Sequence, residues 1–444
     1  MINLNRLPGK SEMRKDEIKS WITKRRGASE LEVEQIPIKS MKNWNFDAKN
    51  ITHENNYYFS IIGVEVQSEQ KNEIVWEKPI ILQKEVGELG FIIQETKILL
   101  QAKTEPGNVK GTQIGPTVQA TVSNYRQVHG GEKTKFLKYF TEIGDNYEII
   151  ADHIQLEQGT GFMNKSNRNS IIRLQRGYLL NDLDDRFRWF EIKELLALLE
   201  EDYLINTDTR SVIVSCDWEK LTENQIAFCS DRKDNELQLS LNESYYKKDP
   251  VTKIYRVLKD LQTRKKYCFK IKDLDKLRKW KINNEVIIDN EEIDFAVKGF
   301  RVSTKDREVT NWDQPLVHIL SLGQVILYCQ KKDGILKFLL NAQIIIGGDE
   351  VLVWGPSIQN SKRDESIKFE GENVLVSCMQ SDEGGRFYQS KSLYQIIEVP
   401  EKVKVSYSEM SYWASLAEIQ DIILQNKKTT NELRSVLSLL LKFL

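Results

Sequence analysis

The chain repeats itself. The stretch WNFDAKNITHENNYYFSIIGVEV from Trp44 and the stretch WKINNEVIIDNEEIDFAVKGFRV from Trp280 keep one order of aromatic, apolar and glycine residues at an offset of 236 (280 − 44). That offset also pairs Phe59 with Phe295, Gly63 with Gly299, Trp76 with Trp312, Pro79 with Pro315 and Gly87 with Gly323. It becomes 240 at Ala102/Ala342, Gly115/Gly355 and Gln119/Gln359, then 225 at Gln155/Gln380 and Phe162/Phe387, and 224 at Trp189/Trp413 and Arg210/Arg434. Trp, Gly and Pro are uncommon residues, and their order is kept. Such self-similarity marks a folding unit used twice. The second copy gains four residues (240 − 236) around KKDG, read as a longer hairpin turn, and loses a net fifteen (240 − 225) between Gln359 and Gln380. The matching stretch of copy one, ATVSNYRQVHGGEKTKFLKYFTEIGDNYEIIADHI, is not needed by the shared core, and dispensable loops on a rigid frame are where function concentrates.

The local patterns agree between copies. YYFSIIGVEVQ, IVWEKPIILQ, GELGFIIQE and ILLQAK are rich in β-branched and aromatic residues and read as strands, as do DFAVKGFRVS, QPLVHILS, QVILYCQ and KFLLNAQIII. WFEIKELLALLEEDY, SLAEIQDIILQNK and DPVTKIYRVLKDLQTRKK have apolar residues at helical spacing. The expected class is α+β, a tandem duplication with mostly antiparallel sheet and flanking helices. Residues 1–30 read as a helical lead-in, 31–235 as the first repeat, 236–265 as a connecting segment and 266–444 as the second repeat.

Several functions find no support. The formal net charge of −1 is not that of a nucleic-acid-binding domain. No apolar run approaches the ~18–20 residues of a membrane span, and MINLNRLPGKSEMRKDE lacks the apolar core of a signal peptide, so a cytoplasmic location is expected. The five cysteines form no CxxC pair and read as reduced thiols. There is no GxGxxG after a strand, no Walker loop, no HExxH and no GxSxG, and the four histidines have no ligand spacing. No metal site is expected, and chemistry must come from acid–base groups or a diffusible cofactor.

Copy one carries three dense polar stretches: LLQAKTEPGN (99–108), GPTVQATVSNYRQVHGG (115–131) and QLEQGTGFMNKSNRN (155–169). They offer donors for a polyanion together with carboxylate, imidazole and phenol groups for proton transfer. These stretches resemble the signature segments of the NDP-hexose 2,3-dehydratase family. So do IPIKSMKNW (36–44), Phe187–Trp189 and INTDTRSV (205–212), and in copy two QPL (314–316) and SDEGGRF (381–387). The resemblance spans roughly residues 30–444. It implies a Nudix-like fold in each half and a homodimer. It implies a dTDP-linked 4-keto-6-deoxyhexose as substrate, loss of water across C2 and C3, and a separate 3-ketoreductase acting on the product. No Nudix box with clustered glutamates is present, so diphosphate hydrolysis is not implied. The C3 proton is acidified by the C4 ketone, so a base, an enolate-stabilising group and an acid suffice, and no cofactor is needed.

Within these segments Lys103 is a candidate to polarise the ketone or pair with pyrophosphate, against a simple pairing with Glu105. Glu105 is a candidate base. Copy two has Gln343 and Ile345 at those positions. Pro106-Gly107 reads as a turn, and Asn108, Gln119 and Thr121 as substrate-binding residues. Tyr125, Arg126 and His129 lie in or beside the segment absent from copy two. His129 has the side chain that titrates near neutrality, Tyr125 can stack on a base or donate a proton, and Asn124 and Arg126 would bind substrate. Glu157 is matched by Asp382 and Gln158 by Glu383, so Glu157 is a candidate for either catalysis or turn capping. Lys165, Arg168 and Asn169 face Ser390, Leu393 and Tyr394 in copy two, the pattern of a lost anion site. Arg168 is the favoured pyrophosphate ligand because guanidinium suits bidentate phosphate contacts. Arg210, kept as Arg434, reads as structural, and Trp44, Trp76 and Trp189 read as core.

The family's second half also tends to carry such polar segments, whereas here NAQIIIGGDE and SKSLYQI depart from them. The expectation is one site per subunit, in residues 99–169, with copy two supporting the fold or dimer. The rival reading is a non-catalytic nucleotide-sugar-binding or scaffolding protein that kept the fold.

Overall fold

The computed structural model describes residues 10–55, 58–125, 133–142, 144–158, 161–181, 183–221, 232–242, 250–291, 294–305, 309–360 and 368–443. The fold is α+β, with three sheets of eleven, seven and five strands and a small number of helices. Pairing is mostly antiparallel. Each copy holds one parallel pair at the same place: Phe162–Leu174 on Glu73–Gln94, and Ser392–Glu398 on Gly323–Lys332. The two strands expected at 74–83 and 87–95 are one continuous strand, Glu73–Gln94. Its parallel partner runs alongside from Ile81 to Ile93 and keeps it extended. In copy two the parallel partner covers only Gly323 to Cys329, and the equivalent strand breaks into Asn311–Ile319 and Gly323–Lys332.

The copies exchange strands. Glu32–Ile36, at the start of copy one, pairs with Phe295–Ser303 of copy two, while Tyr267–Lys272, at the start of copy two, pairs with Ser60–Ser68 of copy one. The registers are identical under the repeat: Glu32 faces Ser303 and Ile36 faces Gly299, while Cys268 (32 + 236) faces Gln67 (303 − 236) and Lys272 faces Gly63. The swap also explains the paired glycines. A Cβ on Gly63 would lie 2.7 Å from the Lys272 carbonyl oxygen, and one on Gly299 would lie 2.8 Å from that of Ile36. Each unit thus takes a strand from the other.

A second bond between copies is polar and buried. Helices Thr207–Val214 and Asn431–Ser438, equivalent at the offset of 224, pack on each other. Thr207 Oγ1 donates to Asn431 Oδ1 at 2.6 Å, Arg434 Nε to Ser211 Oγ at 2.8 Å, and Arg210 Nη1 to Ser438 Oγ at 3.1 Å. Both arginines are fully buried, and Arg210 also donates to the Ile205 carbonyl, a structural role as its recurrence suggested. The apolar core spans the same seam: Leu100, Ile171, Val212 and Leu196 of copy one share a cluster with Phe338, Ile396, Leu433 and Val436 of copy two. Helix Lys10–Ala28 closes one side of that cluster with Ile18, Trp21 and Ile22, the Trp21 ring 5.5 Å from Phe190.

The segment that copy two lacks brings its own apolar anchors. Phe136 and Phe140 cover the sheet beside Ile92, Val118 and Ile172. Phe140 lies so close to Gly90 that a Cβ there would sit 2.2 Å from its ring. In copy two, Ile326 (90 + 236) occupies that place and is itself buried. The insert replaces a side chain that the second copy supplies directly.

Because each unit lacks one of its own strands, residues 10–242 and 250–443 produced apart should not unfold cooperatively, while co-expression should yield a complex of the two. Size-exclusion chromatography and thermal melts check this; a single half that is monomeric with a sharp transition contradicts it.

Candidate functional site

A cavity of about 630 Å³ opens between the copies, within the usual size for small-molecule sites. Its floor is built from buried polar groups. Glu105, Glu157, Asp208, Lys165 and Asn167 are each less than one-tenth exposed and line it. Glu105 follows the strand Lys97–Lys103 and is oriented by a relay. The Asn206 side chain caps helix Thr207–Val214 by accepting from Thr209 N at 2.9 Å, then donates to Gln119 Oε1 at 3.2 Å, and Gln119 Nε2 donates to Glu105 Oε1 at 3.0 Å. Glu157 is anchored through both oxygens: Oε1 accepts from Gln158 N and Asn431 Nδ2, Oε2 from Asn167 Nδ2. Lys165 donates to Glu85, a nearly buried ion pair. Removing one member of such a pair typically costs ~3–5 kcal/mol because the other charge is left unpaired.

Four carboxyls share this floor, since Glu383 of copy two joins Glu105, Glu157 and Asp208. Burial pushes the Glu157 carboxyl up, against Lys165, Asn167 and Arg434. Burial, then the charges of Glu157, Glu383 and Glu105, hold Asp208 well above the ordinary carboxylate range, with Lys165 opposing. Glu383 is pushed up to about 8, by burial first and the neighbouring Glu105 next. Asp208 sits in the first turn of its helix, where the dipole favours an anion by only ~0.3–1 kcal/mol. Burying an unpaired charge costs several kcal/mol, so burial outweighs the dipole at Asp208. Glu85 goes the other way: burial raises it, but Lys165 and then Arg386 bring it below the ordinary value.

The rim is aromatic and cationic. Trp44 meets the His53 ring edge-on at 5.2 Å, and His53 lies 4.3 Å from Tyr58. His53 Nδ1 accepts from Asn55 N at 3.2 Å, and burial lowers its pKa against Glu54. Arg386 stacks 4.1 Å over Phe59, and its Nε donates to Gln83 Oε1 at 3.1 Å. Arg301 pairs with Asp313, whose carbonyl accepts from Trp44 Nε1 at 2.6 Å. Trp44 is therefore buried, as expected of a core residue, and also a wall of the cavity.

The cavity is not confined to residues 99–169. The loop Ser381–Gln389 of copy two docks on the Pro106-Gly107 turn of copy one, with Gly107 N donating to the Gly384 carbonyl at 2.8 Å and Gln389 N to the Gly107 carbonyl at 2.8 Å. A Cβ on Gly107 would lie 1.6 Å from the Phe387 oxygen, so only glycine fits. That docking brings Glu383, Gly385 and Arg386 to the cavity, beside Arg301, Trp312, Asp313 and Gln314 from the strand bearing QPL and its neighbour.

Of the residues singled out in the sequence, Lys103, Glu105, Gln119, Thr121, Glu157 and Lys165 line the cavity. Four do not. Arg168 is taken by Asp152, at 2.6 and 2.7 Å, and by the Phe140 carbonyl. Asn169 donates to Ser211 and Ser215 behind the floor. Gln158 spans to copy two, donating to Asp382 Oδ1 at 2.7 Å and accepting from Glu383 N at 3.1 Å. Asn108 is buried against Gly384, both amide atoms without partners. Arg126 and His129 lie outside the described residues, as do the side chains of Asn124 and Tyr125. Asp208, Glu383 and Arg386 were not singled out, although INTDTRSV and SDEGGRF contain them. Among the described residues no cluster of three or more His, Cys, Asp or Glu is arranged to hold a metal, and no helix is long and apolar enough to cross a membrane.

A family model described as NDP-hexose 2,3-dehydratase matches residues 15–216 and 251–440. The chain is 29% identical over 428 residues to a dTDP-4-dehydro-6-deoxy-alpha-D-glucopyranose 2,3-dehydratase of Saccharopolyspora spinosa, covering 92% of this chain and 87% of that one. It is 29% identical over 419 residues to a protein of the same name from Amycolatopsis orientalis, covering 88% and 83%. Among solved structures it is similar to the C. elegans Ap4A hydrolase (13% identity, TM-score 0.17, 23% of this chain and 86% of that one). It is also similar to the NUDIX domain of Shewanella oneidensis NrtR complexed with ADP ribose (15% identity, TM-score 0.18, 27% and 84%).

The Glu383 proton has a consequence for stability. An unfolded glutamate loses its proton near 4.5, whereas the folded chain holds this one to about 8. Between those values Glu383 binds more protons in the folded state than in the unfolded one, so its contribution to stability falls as pH rises. Glu157 and Asp208 act in the same direction. Glu383→Gln should make that decline shallower in urea titrations run between about pH 5 and pH 8; equal slopes for variant and wild type would refute it.

Proposed function

Because the chain belongs to the NDP-hexose 2,3-dehydratase family, we propose that it removes water across C2 and C3 of dTDP-4-keto-6-deoxy-D-glucose, giving the dTDP-3,4-diketo-2,6-dideoxyhexose. The observation that carries this reading beyond the family is the cavity's division. An aromatic and cationic rim suits a nucleoside diphosphate, and a carboxyl-rich floor suits proton transfer at a sugar.

In this reading the base lies against the rim aromatics and the pyrophosphate meets Arg386 and Arg301. The sugar reaches the floor. Glu105, held by Gln119, takes the C3 proton. Lys103 faces the C4 oxygen and stabilises the enolate, a kind of contact worth roughly 10²–10³-fold in rate. As the C4 carbonyl re-forms, C2=C3 forms and the C2–O bond breaks. The enol so released tautomerises to the 3,4-diketone. Glu157, with both oxygens occupied, fixes the floor rather than reacting. A vicinal diketone is reactive, which is why a 3-ketoreductase acting next is part of the proposal; a homodimeric assembly and a cytoplasmic location complete it.

Incubating the purified protein with dTDP-4-keto-6-deoxyglucose and a 3-ketoreductase should give a product 18 mass units lighter before reduction, with Glu105→Gln slower by roughly 10²–10⁴-fold. Binding of the substrate with no turnover would favour the rival, a nucleotide-sugar-binding protein that kept the fold.

A further inference from the structure

The mechanism above assigns no donor to one step. The C2 oxygen departs as hydroxide unless it is protonated, and Glu105 arrives at that step having gained a proton from C3. The floor holds a carboxyl placed for the task. Asp208 is 2% exposed, lines the cavity, and its Oδ1 is buried without any hydrogen-bond partner. Asp208 thus lines the cavity with a carboxyl whose Oδ1 the fold leaves without a hydrogen bond, and a buried polar atom of that kind calls for a partner. The groups acting on it come from several elements: Glu157 just after one strand of the first copy and Lys165 within the next, Glu105 from the turn, Glu383 from the second copy's loop and Arg434 from the partner helix. Three of the five are carboxyls, which is the setting in which an acid keeps its proton for use at neutral pH.

We propose that Asp208 is the acid of the dehydration, passing its proton to the C2 oxygen as the C2–O bond breaks, so that water leaves. The proposal rests on the dehydratase reading. The balance closes: Glu105 gains the C3 proton, the electron pair of C3–H becomes the enolate, that pair forms C2=C3, and the C2–O pair leaves with the Asp208 proton as water. Tautomerisation of the enol moves its O–H proton to C2 without net change, and proton exchange returns Glu105 and Asp208 to their starting forms.

The mirrored position sharpens the assignment. Glu432 (208 + 224) is also buried with Oε2 unpartnered, but the partners of the reaction are missing there. Ile345 (105 + 240) stands for Glu105, and Ser390 (165 + 225) for Lys165. A carboxyl required only by the two-helix seam would matter equally on both sides. A catalytic one matters only on the side with the base.

The test uses the whole chain and two substrates, the natural C2 hydroxyl and its 2-deoxy-2-fluoro analogue, because fluoride leaves without a proton. Asp208→Asn is expected to slow dehydration by roughly 10²–10⁴-fold. It should still exchange the C3 hydrogen with D2O, and should release fluoride from the analogue at near the wild-type rate. Glu432→Gln should leave all three rates within a few-fold. Equal slowing on both substrates, lost C3 exchange in a folded Asp208→Asn, or undiminished dehydration each overturn the proposal. Should Asp208→Asn fail to fold, the wild type decides. Its rate on the hydroxyl substrate must fall at alkaline pH while its rate on the fluoro analogue does not, and parallel profiles reject Asp208. A wild type that turns over neither substrate fails the dehydratase reading itself, a separate result from a failure of Asp208 alone.

Discussion

A fully buried guanidinium joins the two halves of this protein. Arg434 is fully buried, yet it donates to Ser211 Oγ and the Leu156 carbonyl of copy one and to the Thr429 carbonyl of its own copy. Burial brings its pKa down to about 10, and Glu157, then Glu432 and Asp208, oppose that. An isolated buried guanidinium would be strongly unfavourable, so the arrangement persists only with its acceptors and Glu157 in place. The dependence runs both ways: Glu157 needs the cation behind it and Asn431 beside it to remain in the floor of the cavity. The seam of the fold and the floor of the site are thus one polar network. Arg210, its counterpart, meets a thiol, Cys378, and has no buried carboxyls among the charges acting on it, so one residue type kept in both copies sits in two different electrostatic settings.

Much of the frame was legible in the sequence. The paired glycines at 63 and 299, the paired arginines at 210 and 434 and the turn at Pro106-Gly107 all hold places where backbone or side chain has little choice. The strand exchange was not legible. Glu32–Ile36 and Tyr267–Lys272 are short, and nothing local says whether a strand pairs within its own copy or across. Periodicity reports which face is apolar, not which partner covers it.

The site was legible in part, for a similar reason. Residues peculiar to copy one, such as Lys103, Glu105 and Lys165, do reach the cavity. Residues kept in both copies read as frame, and that rule passes over Asp208, whose counterpart is Glu432. It also passes over Glu383 and Arg386, because they belong to copy two. What makes these groups matter is burial and the company of other carboxyls, supplied by a loop docking from more than 270 residues away (384 − 107 = 277). Arg168 is the converse case. Its chemistry suits phosphate, but the neighbouring strand places Asp152 within reach, and Asp152 claims it.

The strand exchange also sets a schedule for synthesis. Glu32 leaves the ribosome early, but the strand it pairs with ends at Ser303, 271 residues later (303 − 32). At ~5–20 residues per second the delay is roughly 15–50 s. Through that interval the first copy carries a strand with no partner and a sheet edge, Ser60–Ser68, that waits for Tyr267–Lys272. Unpaired edges are templates for association with other chains. Nascent molecules on one message therefore hold complementary open edges at close quarters, and the pairing that unites the two halves of one molecule is the same pairing that could join two neighbours.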